Sequence, residues 1–206
     1  MSRPTIELWY EFASSYSYLS VMRIEPLARE AAVDLVWRPF LLGPVFLALG
    51  WNDSPFNIYP PKGRYMWRDL TRLSEKYGLP FRLPSQFPRD GLLAARVALR
   101  LAEAGPVAAF SRAVMRANFA EDRDIADPAV ITGILTALDL APEPLLAAAV
   151  TPENKRALHR QTEHAAELGL FGAPSFRVGE ELFWGNDRLE DALKWATSRH
   201  AERSVR

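Results

Sequence analysis

The chain has 206 residues, close to one ordinary domain and short for two independent cores, and 49% of them are hydrophobic, enough to fold around a packed interior. Lysine plus arginine equal aspartate plus glutamate at 25 each, so no net field draws nucleic acid or an anionic membrane surface. Cysteine is absent, which excludes disulfides, thiolate-bound metals, iron–sulfur clusters and every mechanism whose nucleophile is the protein's own sulfur.

The opening MSRPTIELWYEF has no apolar leader-like stretch, and no apolar run elsewhere approaches the roughly 18 residues of a membrane span, so the expected location is the cytoplasm. Thr5 to Phe12 alternates large apolar with acidic residues and predicts a strand. Ser14 and Ser15 then stand before Leu19, Met22 and Leu27, the pattern of a capped helix running to about Ala31, with Pro26 expected to kink it by removing the bond to Met22. Val33 to Arg38 predicts a second strand, parallel to the first across a right-handed crossover.

Five prolines between Pro39 and Pro61, with no sustained period from Gly43 onward, predict irregular structure over a cleft. A helical block follows. Met66, Leu70, Leu73 and Tyr77 mark one helix closed by Gly78, Leu92 to Ala102 a second ended by Gly105-Pro106, and Val107 to Ala117 a third. Asp127-Pro128 and Thr151-Pro152 each pair an N-cap with a proline at the first helical position and start two more. Pro174 to Gly179 then alternates as a strand, Glu180-Glu181 turns, Leu182 to Trp184 returns as its hairpin partner, and Asn186 to Glu190 has the form of a capping box before a last helix. The order is a thioredoxin-like α/β frame, βαβ…ββα, with a large all-helical insertion: residues 1–42 and 170–206 form the frame and 43–169 the insertion.

Two features suggest chemistry. Ser14 lies where a strand turns into a helix, a place whose free amides and dipole favour an anion, although a serine there is a common cap. Pro174 opens the strand expected beside that helix terminus and is a candidate for a cis peptide, since the cis form costs only about 0.5–1 kcal/mol before proline. His159 and His164 are five apart and lack metal-pair spacing, and His200 falls in a polar tail, so no metal is expected. The run Glu121 to Asp124 reads as a solvated turn or as a buried ion pair bracing the insertion.

The segments Tyr10 to Leu19, Lys62 to Leu70, Glu121 to Ile125, Phe171 to Phe176 and Phe183 to Leu189, in that order, resemble the 2-hydroxychromene-2-carboxylate isomerase family, which is related to kappa-class glutathione transferases and, by fold, to DsbA-type oxidoreductases. The resemblance implies a glutathione-dependent enzyme in which Ser14 stands where the disulfide relatives carry a redox cysteine. It further implies that Ala173, before a cis Pro174, pairs with the tripeptide backbone, that Asn186 and Asp187 hold its γ-glutamyl end, and that Asn57 and Lys62 add polar contacts from the insertion. Two positions depart from the family: Ser15 replaces a proline common after the serine, and Asp90 replaces an asparagine.

A chain without cysteine must borrow its sulfur. A free thiol has a pKa of about 8.5. Lowering it to about 7 takes roughly 2 kcal/mol, which a helix N-terminus at about 0.3–1 kcal/mol and a hydroxyl hydrogen bond at about 0.5–1.5 kcal/mol supply together, with no strong base evident near Ser14. The implied reaction is cis–trans isomerisation of an aromatic pyruvate-type anion by reversible thiolate addition. Lys62 or Arg64 would offer it a cation, and Tyr16, Phe46, Trp51, Phe56 and Tyr59 an aryl pocket, whereas Tyr18 reads as packing. The expected partners are a small aromatic substrate and a second copy of the chain, with neither nucleic acid nor membrane. The alternatives are a kappa-like transferase or peroxidase acting on electrophiles, and a non-catalytic thiol- or peptide-binding module.

Overall fold

A computed structural model describes residues 3–204, with the side chains of residues 103, 104 and 199 onward, His200 among them, outside that description. Strands β1 (Thr5–Tyr10), β2 (Asp34–Pro39), β3 (Ser175–Val178) and β4 (Glu181–Trp184) form one mixed sheet in the order β2-β1-β3-β4. β1 runs parallel to β2, with Leu8 opposite Trp37, and antiparallel to β3, with Leu8 opposite Phe176. Helix α1 (Ser15–Glu30) is the crossover between the two parallel strands.

As an inner strand β1 is buried on both sides, and its alternation feeds two separate cores. Ile6, Leu8 and Tyr10 enter the larger one with Ile24, Phe110 and Phe176, while Trp9 packs with Phe40, Leu42, Val45, Ala165 and Leu170 in the smaller. Glu7 and Glu11 share the parity of Trp9. Glu7 answers Arg38 at 2.8 Å and Arg177 at 3.8 Å, whereas Glu11, at the far end of the strand, is only 7% exposed.

Between β2 and β3 the chain forms α2 (Leu42–Ala48), α3 (Pro55–Ile58), α4 (Pro60–Tyr77), α5 (Leu92–Ala104), α6 (Val107–Phe119), α7 (Pro128–Ala137), α8 (Pro142–Ala149) and α9 (Pro152–Glu167). The cap chemistry is as the sequence suggests: Asp127 Oδ1 accepts Ala129 N–H at 2.8 Å, Thr151 Oγ1 accepts Asn154 N–H at 3.3 Å, and Gly78 closes α4 in the left-handed conformation. The irregular stretch expected after Gly43 is instead α2, α3 and the head of α4. Its prolines start helices, because Pro44, Pro55 and Pro60 fall in first turns where an N–H has no intrahelical acceptor. The eight-residue α8 is too short for its period to stand out in the sequence.

Pro26 does not end α1, which continues to Glu30 with Ile24 and Ala28 buried on either side of the proline. The hairpin turns at Gly179-Glu180, one residue earlier than expected, leaving Glu181 in β4. No capping box forms at Asn186. Residues Asn186–Arg188 make a 3₁₀ turn without a side-chain cap, and α10 (Leu189–Ser204) begins after it.

The charged run after α6 is largely an exposed turn, and its Asp122 pairs with a buried arginine from the loop before α5. Arg89, 4% exposed, pairs with Asp122 and donates to Asn118 Oδ1 at 3.0 Å, and Asn118 Nδ2 donates to Phe12 O at 3.0 Å. Ser85 N–H and the Arg89 guanidinium hold the Asp122 carboxyl down at about 2. This network ties the loop before α5 to the end of β1.

Candidate active site

The C-terminal ends of β1 and β2 point the same way, and in open sheets with parallel strands that is where ligands bind. Ser14 lies there as the N-cap of α1. Its Oγ accepts Ser17 N–H at 3.2 Å and donates to the carbonyl of Ala173 at 2.9 Å. The Ala173–Pro174 peptide is cis, as expected; Phe87–Pro88 is a second cis peptide that the sequence did not announce. The first turn of α1 carries no acidic side chain, so nothing of its own opposes an anion at its amides. Ser15, the other hydroxyl at this junction, is 2% exposed and its Oγ turns to Met66 Sδ at 3.1 Å. Ser14 is therefore the more available of the pair.

Ser14 and Ala173 line a cavity of about 1140 Å³ bounded by α2, α3, the first turns of α4 and the end of β4. Its wall is rich in aromatic rings: Tyr16, Phe46, Trp51, Phe56, Phe171 and Trp184. Ring contacts set them in pairs, with centroids 6.1 Å apart for Tyr16–Phe56, 5.6 Å for Phe46–Trp51 and 4.8 Å for Phe171–Trp184. Tyr16 OH donates to Asp69 Oδ2 at 3.0 Å, and burial with that carboxylate pushes its phenol far above the ordinary range, so it stays protonated. Tyr18 is core, as expected, its ring against Phe119 and its hydroxyl on Pro80 O. Tyr59 is not in the wall.

Of the other residues singled out from sequence, Pro174, Asn186, Asp187 and Lys62 line the same cavity. Asn186 Oδ1 accepts from Ser20 Oγ at 3.1 Å and Arg23 at 3.2 Å, while its Nδ2 is buried without a partner. Asp187 presents a largely exposed carboxylate, and Gly185 with φ of 109° makes room for it, since a Cβ there would lie 2.5 Å from Asp187 Oδ1. Asn57 is not brought to the cavity: its Nδ2 is taken by Asp53 at 3.1 Å and Phe87 O at 3.5 Å. Arg64 is likewise absent from the lining, and the cations that do face it are Lys62 and Arg188. Asp90 lies outside the cavity and accepts Leu92 N–H at 2.8 Å at the head of α5.

Sequence reasoning missed Glu11, which lines this cavity three residues before Ser14. Burial raises its carboxyl to about 7, against the amides of Leu42 and Ala13, which favour the anion. The period of two places Glu11 on the Trp9 face, but only α2, laid over it at Leu42, makes that place dry.

The DSBA-like thioredoxin domain family matches residues 5–194. The chain is 30% identical over 190 residues to the 2-hydroxychromene-2-carboxylate isomerase of Sphingobium xenophagum, covering 90% of this chain and 94% of that one. It is 27% identical to glutathione S-transferase kappa 1 of Homo sapiens, over 90% and 88% of the two chains. Among solved structures, a 2-hydroxychromene-2-carboxylate isomerase superposes with a TM-score of 0.83 at 25% identity over 98% of each chain.

Proposed function

We propose, for a chain that belongs to the DSBA-like thioredoxin-domain family and within it groups with the 2-hydroxychromene-2-carboxylate isomerases, that it is a glutathione-dependent cis–trans isomerase of small aromatic catabolites. The observation that carries the reading is the placement of the Ser14 hydroxyl at a helix N-terminus whose first turn has no acidic side chain, against Ala173 O and open to an aromatic-walled cavity, in a protein with no sulfhydryl of its own.

The residues fit a γ-glutamyl thiol tripeptide. Ser14 Oγ and the α1 amides suit its sulfur, Ala173 O suits a backbone amide, the partnerless Asn186 Nδ2 suits a carboxylate, and Asp187 suits an ammonium group. A Cβ on Gly172 would come 2.4 Å from Trp184 Nε1, so only glycine lets the backbone approach the ring that closes this side. Bound glutathione would supply a thiolate able to add reversibly to a conjugated carbon, turning a double bond into a single bond that rotates. Ser14's task is electrostatic: its one hydroxyl proton turns from Ala173 O toward the anion, and Ala173 O becomes free for a ligand amide. The aromatic walls would exclude water and hold an aryl ring, and Lys62 would offer the substrate carboxylate a cation, whereas Arg188, also in the lining, is paired with Asp187 at 3.4 Å and Asp191 at 2.9 Å.

Product accounting tests this. With 2-hydroxychromene-2-carboxylate as probe, conversion to the open trans-hydroxybenzylidenepyruvate is expected only when glutathione is present, with all the glutathione recovered. Net consumption of glutathione would favour the kappa-like transferase reading, and conversion indifferent to glutathione would contradict both.

A further inference from the structure

Among the described residues, Glu11 is the one buried ionisable group on the cavity wall for which the proposed reaction has given no use. Its carboxylate Oε2 accepts the N–H of Leu42, at the head of α2, at 2.5 Å, and the amide of Ala13, the residue next to Ser14, favours its anion. Gly91 makes the space: a Cβ there would lie 3.3 Å from Glu11 Oε1 and 3.0 Å from Phe12 Cβ. The carboxyl is thus lodged where the Ser14 junction, α2 and the head of α5 meet, and it lines the same cavity as the Ser14 hydroxyl.

We propose that Glu11 is the proton acceptor of this site, taking the proton that a thiol gives up beside Ser14 and holding it on its carboxyl until the thiol is released. The inference rests on the glutathione reading above. The balance is simple: one S–H bond breaks, one O–H bond forms on Glu11, and the reverse occurs on departure. Nothing is oxidised and no co-reactant is needed.

Glu11 and Ser14 belong to one turn, Ser14 N–H donating to Glu11 O at 3.1 Å, and both line the same cavity, so the proton need not leave that cavity to pass between them. The electrostatics suit it. Burial and the Asp90 carboxylate hold Glu11 at about 7, while Ser14 and the α1 terminus draw a thiol from about 8.5 toward the same value, so transfer is close to thermoneutral. Once protonated, Glu11 no longer repels the anion at Ser14. Facing it are Asp90 from the head of α5, the amides of Leu42 from α2 and of Ala13 from the junction, and across the cavity Asp53, Lys62, Asp69, Asp187 and Arg188.

The test counts protons rather than turnovers. Glutathione is bound at a pH just above the Glu11 value in weakly buffered solution, with the thiolate absorbance and an indicator dye read together. In the wild type, fewer than one proton is expected in solution per thiolate formed. In Glu11→Gln a full proton is expected per thiolate, or no thiolate at that pH, and Glu11→Asp, which keeps a carboxyl, should restore part of the shortfall. A full proton per thiolate in the wild type would overturn the role of Glu11 and leave the glutathione reading standing. Absence of any thiolate in the wild type would overturn both.

Discussion

Ser14→Ala is expected to raise the pKa of the bound glutathione thiol by about 0.5 to 1 and to slow isomerisation about 3- to 10-fold, because the hydroxyl hydrogen bond contributes about 0.5–1.5 kcal/mol. The hydroxyl has two partners in the fold, Ser17 N–H and Ala173 O, and both lose it together. Loss of the cap should also cost about 1 kcal/mol of stability, read as a lower denaturant midpoint. That cost is too small to unfold the protein, so a rate loss in a folded variant reports on the anion. Ser15→Ala is the comparison: its hydroxyl is turned inward onto Met66 Sδ, so the thiol pKa should be unchanged. Equal effects of the two substitutions on that pKa would remove Ser14 from its assigned role.

The second large effect concerns pH and Glu11. Its carboxyl is near 4.5 in the unfolded chain and about 7 in the fold, so the folded state holds the proton more tightly. The sign follows from linkage: stability is greatest below about 4.5 and is lost as pH rises through about 7, by about 3 kcal/mol in all. Glu11→Gln has no proton to lose at this position. Unfolding free energy measured from pH 5 to 8 should therefore fall more steeply in the wild type, by about that amount, than in Glu11→Gln. Parallel profiles would mean that Glu11 is not buried as an acid. A side chain that weakens the folded state at neutral pH and lies on a cavity wall is the pattern expected of a group that does chemistry.

Much of the frame can be read from residue types because local and global signals agree. The Thr5 to Phe12 alternation, the serine cap of α1, the Asp127-Pro128 and Thr151-Pro152 starts and Gly78 each satisfy a local rule that the fold also needs. The misses have specific causes. Prolines from Pro44 to Pro61 carry the same letter whether they break a helix or begin one, and only tertiary packing of Leu42 and Val45 against Trp9 decides for α2. At Asn186 the cap pattern was present, but the side chain instead serves Ser20 and Arg23.

The site was legible where backbone geometry creates it and obscure where long-range packing does. Ser14 and Pro174 each have an ordinary reading, a helix cap and a strand start, and stood out because the two signals point to the same end of the sheet. Asn57 could have been doubted from sequence, since Asp53 lies four residues earlier and can take its amide. Trp184 and Arg188 join the wall through the β4 hairpin and the turn after it, and Phe171 through the loop before β3, which no local pattern announces. Glu11 was hidden by its charge: within an alternating strand an acidic residue reads as the wet side, and it is α2 laid over that end of β1 that makes it dry.

A crystal structure of the protein grown with glutathione tests the central claim most directly. The account predicts the sulfur within hydrogen-bond reach of Ser14 Oγ, the tripeptide backbone against Ala173, and the γ-glutamyl end at Asn186 and Asp187. Glutathione bound elsewhere, or the cavity beside Ser14 left without it at saturating concentration, would contradict the account.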